Sequence, residues 1–202
     1  MKPAAHHWSW STFAFAIVIA AGCGSNARSA AADDGHRRYH DGQRWIEVEV
    51  ALDRFATDSA QVSQAGPLTE ERSRGFFKLA EPVAFVADLD VSAQEHRSKN
   101  PDVTQVYACL YPPGVDRDKV PPMRLTRRLT LTGAPGQDLA ALAAKHGTRV
   151  VEKVDYRPDT VICEATGSSL LAALDAANAL REEPGVVAAT PLIARQHQPR
   201  SR

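Results

Sequence analysis

From Arg44 to Leu52 the chain alternates strictly, with Ile46, Val48, Val50 and Leu52 on one side and Glu47 and Glu49 on the other. A period of two marks a half-buried strand. Weaker runs of the same kind occupy 82–89 (PVAFVADL) and 103–111 (VTQVYACLY), so residues 39–111 are expected to form a small, mostly-β unit. Two Pro-Pro pairs follow, in YPPG (111–114) and VPPMR (120–124), around the charged DRDK. Proline has no ladder donor and pushes the residue before it toward extended geometry. Residues 112–123 are therefore expected to be a Pro-rich linker between two domains.

Beyond the linker the pattern is more regular. Leu125, Arg127, Leu129 and Leu131 share one side of a strand whose other side carries threonines, and GAPG ends it. Asp138 is placed to cap a helix, LAALAAKH, whose Leu139, Leu142, Ala143 and His146 fall on one face, with Gly147 at its C-terminal stop. TRVVEKVDY reads as a second strand, Arg157–Asp159 as a turn, and TVICEAT as a third strand with Val161, Cys163 and Ala165 opposed to Ile162 and Glu164. Ser168 or Ser169 would cap a second helix over 170–183 that buries Leu170, Leu171, Leu174, Ala177 and Leu180. Pro184-Gly185 stops it, and a last strand follows that Pro191 either confines to an edge or terminates. The expected class is α+β: a ferredoxin-like β-α-β-β-α-β domain over 124–192, preceded by the mostly-β unit.

The N-terminus has a different character. Lys2 and the polar HHWSWST precede a short apolar block, Phe13 to Gly22, that ends in small residues before Cys23. A bilayer span needs about 20 apolar residues, so this block reads as a signal peptide over 1–22. Ile19–Cys23 (IAAGC) resembles a bacterial lipobox, which implies Cys23 as the lipidation site and anchoring to the outer face of a membrane. Gly24 in place of Asp implies the outer membrane where the cell has one, and an ordinary secretory signal is the alternative. Residues 23–38, small and polar, are expected to be a flexible tether. Export leaves Cys109 and Cys163 free to form a disulfide or to serve as two small buried hydrophobes, and two cysteines are no framework.

Composition narrows the function classes. Lys plus Arg and Asp plus Glu number 24 each in 202 residues, so no net field draws the chain to nucleic acid. The first and third strands of the β-α-β-β-α-β unit also lack the aromatic residues on which RNA bases stack. The seven histidines are scattered without Cys or carboxylate at ligand spacing, so no metal and no cofactor is expected. KHGTRVV (145–151) resembles the segment that carries the catalytic histidine of subtilisin-like serine proteases. The companion Asp-Thr-Gly and Gly-Thr-Ser-Met-Ala segments are missing, ATGSS (165–169) has the wrong order, and Arg149 stands where a second histidine would. No catalytic residue is expected, because a base needs a nucleophile in reach and a group to orient it. His146 instead suits a helix C-terminus, where its ring meets free carbonyls.

The order LTRRLTLTGAPG, LAALAAKHG, RVVEKVDYRPDTVICEA and LDAANALREEPGVVAATPLIARQ resembles the N-terminal prodomain of subtilisin-like proteases, especially the fervidolysin type. The resemblance covers roughly Leu125 to Gln196. Where the family continues into a protease domain, this chain reads HQPRSR. The resemblance implies a non-enzymatic protein, a monomer when free, that binds a subtilisin-like serine protease in trans as inhibitor, folding chaperone or both. It also implies that the open face of the sheet docks on the protease, through residues taken to be Thr130, Thr132, Ile162, Glu164, Val187 and Ala189. The tail Leu192, Ile193, Ala194, Arg195, Gln196, His197 and Gln198 would run extended through the active-site cleft. Two alternatives stay open: a remnant of a truncated or split protease gene, and a surface lipoprotein that binds another ligand.

Overall fold

The computed structural model describes residues 35–58 and 75–195. The expected signal peptide, Cys23, most of the tether and the tail residues Gln196, His197 and Gln198 lie outside the described residues. In chain order the elements are β1 (His36–His40), β2 (Trp45–Thr57), β3 (Phe76–Lys78), α1 (Val86–Lys99), β4 (Val106–Tyr111), β5 (Met123–Gly133), α2 (Leu139–Lys145), β6 (Thr148–Lys153), β7 (Thr160–Ala165), α3 (Ala172–Arg181) and β8 (Val186–Arg195). The fold is α+β: one antiparallel sheet of eight strands with three helices among the described residues.

Strand β5 organises the sheet. Along one edge its first half pairs with β4 (Leu125 opposite Ala108) and its second half with β7 (Leu129 opposite Cys163). Its other edge pairs with β8 along nearly its whole length, from Met123–Arg195 to Gly133–Val186. Outward from β4 lies β2, whose far edge carries β1 and β3; outward from β7 lies β6.

All three helices pack on one face. The apolar row of β5 supplies Leu125 to a core with Val48, Val50, Phe55, Phe77, Leu110, Leu89 of α1 and Leu170, Leu171 and Leu174 at the start of α3. The same row supplies Leu129 and Leu131 to a second core with Leu139 and Ala143 of α2, Val161 and Cys163 of β7, and Ala177 and Leu180 of α3. A small third cluster, Ala51, Ala56, Phe76, Cys109 and Tyr111, lies on the reverse face of the first half.

Several expectations change. Residues 82–89 were expected as a strand, but helix α1 begins at Val86. It buries only Val86, Leu89 and Ala93, at helical spacing, and places Asp88 in its first turn and His96, Arg97 and Lys99 in its last, as the helix dipole favours. His36–Arg38, assigned to the tether, form part of β1. The division at 112–123 also gives way, because the described residues on both sides of it fall in one compact unit. The prolines do stop β4 and allow β5 to start afresh, yet these two strands pair with each other, so the sheet continues where the chain breaks. The expected linker is tied down as well: Arg117 reaches Glu49 of β2 at 3.0 Å and Gly114 N–H donates to the same carboxylate. The Arg117 guanidinium holds the Glu49 carboxyl below its usual range. Nearby, buried Arg54 donates to Asp53 at 2.8 Å and 3.1 Å and to the Tyr111 hydroxyl at 3.3 Å.

The helix caps follow the pattern in part. Asp138 accepts from Ala140 N and Ala141 N, and Gly147 takes φ +64° after α2, as its position requires. Helix α3 starts later than expected, at Ala172, and its N-cap Leu171 has no side-chain bond. Ser169 Oγ accepts from Leu171 N, and Asp90 of α1 accepts from Leu170 N at 2.7 Å. Pro191 sits inside β8, which among the described strands pairs with β5 alone and so lies at an edge.

One half-buried histidine is expected to give the fold a pH response. The His96 ring packs on Phe77 at 4.2 Å and on Phe55 at 5.2 Å, and its Nε2 is buried without a hydrogen-bond partner. Burial lowers its pKa. Because the folded value lies below the unfolded one of about 6.5, the unfolded state takes up the proton first, so stability falls as pH drops below about 6.5. The expected outcome for His96→Leu is a flatter dependence of unfolding free energy on pH between about pH 8 and about pH 5, measured by urea denaturation. An unchanged slope would remove His96 as its source.

Candidate functional site

The face of β6, β7, β5 and β8 opposite the helices is the candidate site. No described helix or strand packs over it. Register arranges its side chains in three cross-strand rows. The first is ionic: Arg149 of β6 and Arg128 of β5 flank Glu164 of β7. Arg149 donates to Glu164 Oε2 at 2.6 Å and 3.2 Å. The second row runs from Glu152 through Ile162 and Thr130 to Thr190. In the third, Thr160, Thr132 and Ala188 stand side by side, with the two threonine hydroxyls 2.9 Å apart.

Of the six residues expected on this face, Thr130, Thr132, Ile162 and Glu164 lie there, each half-buried. Ala189 does not. It pairs with Leu131 and is buried in the helix-side core. The reason is an irregularity between Thr132 and Gly133, where Ala188 and Val186 find partners and Val187 has none. One unpaired residue inverts the phase of a strand. Val186 thus packs against the core, Val187 is left 62% exposed at the strand's start, and Ala188 and Thr190 take the open side.

The expected cleft-binding tail is also partly reassigned. Leu192, Ile193, Ala194 and Arg195 belong to β8, with Ile193 opposite Leu125, Ala194 opposite Arg124 and Arg195 opposite Met123. Ile193 packs on the core, so Leu192, between core-facing Pro191 and Ile193, falls on the open side by alternation. Thr126 Oγ donates to the Leu192 carbonyl at 2.7 Å, replacing a ladder bond where three residues of β5 oppose one of β8. Arg128, Arg149, Glu152, Thr160, Ala188, Thr190 and Leu192 are the face residues that sequence reasoning did not place there. Alternation alone pointed to Thr190 and Leu192, once the last strand is counted from Pro191 instead of from Val186.

His146 lies far from this face in role. It closes α2, and its Nε2 is 2.8 Å from Glu183 Oε1, beyond the end of α3. Lys145 Nζ donates to the same carboxylate at 2.8 Å and 3.0 Å, and these contacts, Lys145 first, hold the Glu183 carboxyl below its usual range. The motif-like KHG is a clamp between two helix ends. Cys109 and Cys163 are both buried, on opposite faces of the sheet, and no disulfide joins them. Burial pushes the Cys163 thiol up, as for an inert core residue. Among the described residues no group of three or more His, Cys, Asp or Glu is placed to hold a metal ion. No family model, no curated protein and no solved structure matches the chain.

Proposed function

We propose that this chain is an exported, lipid-anchored, non-enzymatic protein that binds a subtilisin-like serine protease in trans, as inhibitor, folding chaperone or both. The observation that carries the reading is the uncovered face of β6, β7, β5 and β8, with Ile162 and Leu192 half-buried among threonines and one ionic row. Antiparallel sheets often leave one face to water, but an uncovered face that keeps apolar side chains suits a docking surface. The spatial order β8-β5-β7-β6, with α2 and α3 on the other side, is the order expected of a ferredoxin-like split βαβ unit, and it supports the prodomain resemblance. With Leu192–Arg195 held in β8, only the chain from Gln196 onward is left to enter an active-site cleft. Cys23 is the anchor in this reading.

The test is complex formation. The full chain is mixed with a subtilisin-like protease from the same cell whose nucleophilic serine is replaced by alanine, and the mixture is resolved by gel filtration with light scattering. A complex of one copy of each is expected. Separate elution of the two at high micromolar concentration of each overturns the proposal.

A further inference from the structure

On the apolar row of β5, between Leu125 and Leu129, stands Arg127, a charge where the pattern calls for a hydrophobe. The topology explains the position. β4 and β7 share one edge of β5, and they part at Arg127, β4 turning toward β2 and β7 toward β6. The fork leaves a cleft of about 480 Å³ between the start of β4, the end of β7 and helix α1. Arg97 of α1, Arg127 at the apex and Arg149 of β6 all line it, together with Gln94, Thr104 and Ser168.

The charges in this cleft do not balance. Arg127 donates through one nitrogen to the carbonyls of Ala165 and Gly167, both neutral acceptors, and no carboxylate lies within ion-pair distance of it among the described residues. A guanidinium offers five donors, so most of its capacity is unspent. Of the neighbouring carboxylates, Glu164 is paired with Arg149 and Glu95 with Lys99, whereas Asp58 and Asp90 accept from neutral donors, keep their charge and stand outside the cleft lining. Arg97 has no described partner. In the lining itself three guanidiniums face one carboxylate, and the recess half-buries the central one, which favours a bound anion because a partly desolvated cation is costly without a counter-charge. The backbone at the fork is already paired, with Thr104 N and Gln105 N on Asp58 and Thr166 N on Gly147 O, so the cleft offers side-chain donors and no strand edge. That chemistry suits a small ligand and not an added strand.

We propose that the cleft at the fork binds a small oxyanion, a carboxylate or a phosphate group, seated on Arg127 and flanked by Arg97 and Arg149. The cleft shares Arg149 and Glu164 with the edge of the proposed protease-binding face, but its test needs no protease. The full chain, labelled with nitrogen-15, is titrated at constant ionic strength with inorganic phosphate and, separately, with citrate, following the arginine Nε–H signals and the amides of 104–106 and 165–170. Saturable shifts confined to these positions are expected with at least one probe, and the probe that saturates identifies the source. In Arg97→Gln, an exposed change that leaves the fold intact, the affinity is expected to fall about tenfold. Arg127→Met should abolish saturation, with its amide spectrum reporting whether it folds. Shifts that stay linear with both probes, or an Arg97→Gln affinity equal to that of the natural chain, overturn the proposal.

Discussion

Leu125→Ala and Leu131→Ala are each expected to lower the midpoint of one and the same unfolding transition, each by removing about 2–5 kcal/mol of stability. Both side chains are essentially fully buried, at 1% and 0% exposure, and each would leave a cavity in tightly packed surroundings. They lie in different cores, one facing α1 and the other facing α2. If the chain were two domains joined by a Pro-rich linker, each substitution would move its own transition. The shared strand β5 argues otherwise, since unfolding either core strips the partner edge from the other. Helix α3 adds a second tie, with Leu171 and Leu174 in one core and Ala177 and Leu180 in the other. Chemical denaturation followed by both far-ultraviolet circular dichroism and tryptophan fluorescence checks this. Coincident curves in all three proteins are the expected result, and a biphasic curve in which each variant shifts only one phase would contradict it.

Ile162→Lys is expected to weaken binding to a subtilisin-like protease by about a hundredfold, in line with a central contact residue, while leaving the midpoint of unfolding nearly unchanged. Ile162 lies at the middle of the open face, flanked by Thr130 and opposite Glu152, which offers a lysine a cross-strand ion pair. The fold therefore tolerates the change, whereas a partner surface would have to desolvate an ammonium group. Isothermal titration of the natural and substituted chains against the inactive protease reads the difference. Equal affinities would remove the open face as the docking surface.

Much of the second half was legible from sequence because its signals are local. Asp138 before LAALAAK, Gly147 after it, and the alternation of Val161, Cys163 and Ala165 each fix one element with residues a few positions apart. Helix α1 was not legible, since only Val86, Leu89 and Ala93 of its fourteen residues are buried and the rest are polar apart from exposed Ala87 and Val91. An apolar stripe that thin carries no periodic signal, and the alternating PVAF just before it suggested a strand. Strand β1, HRRYH, is held by its pairing with β2 and carries no strand pattern of its own. The union of the halves was hidden because it rests on β4 meeting β5 across two Pro-Pro pairs, a contact no local rule reports.

The open face shows the same division. Thr130, Thr132, Ile162 and Glu164 follow from alternation within regular strands. Ala189 failed because one unpaired residue, Val187, inverted the phase of β8, and Leu192 was counted as tail for want of its partner on β5. Arg127 was visible as a charge in an apolar row, yet its meaning depends on the fork between β4 and β7.

The central claim is that the chain binds the active-site region of a subtilisin-like protease, and inhibition kinetics test it most directly. Steady-state hydrolysis of a chromogenic peptide by such a protease from the same cell is measured against increasing concentrations of the full chain and of a chain ending at Arg195. Competitive inhibition by the full chain, strongly weakened by removal of Gln196 onward, is the predicted result. Unchanged hydrolysis at high micromolar concentrations of the full chain would contradict it.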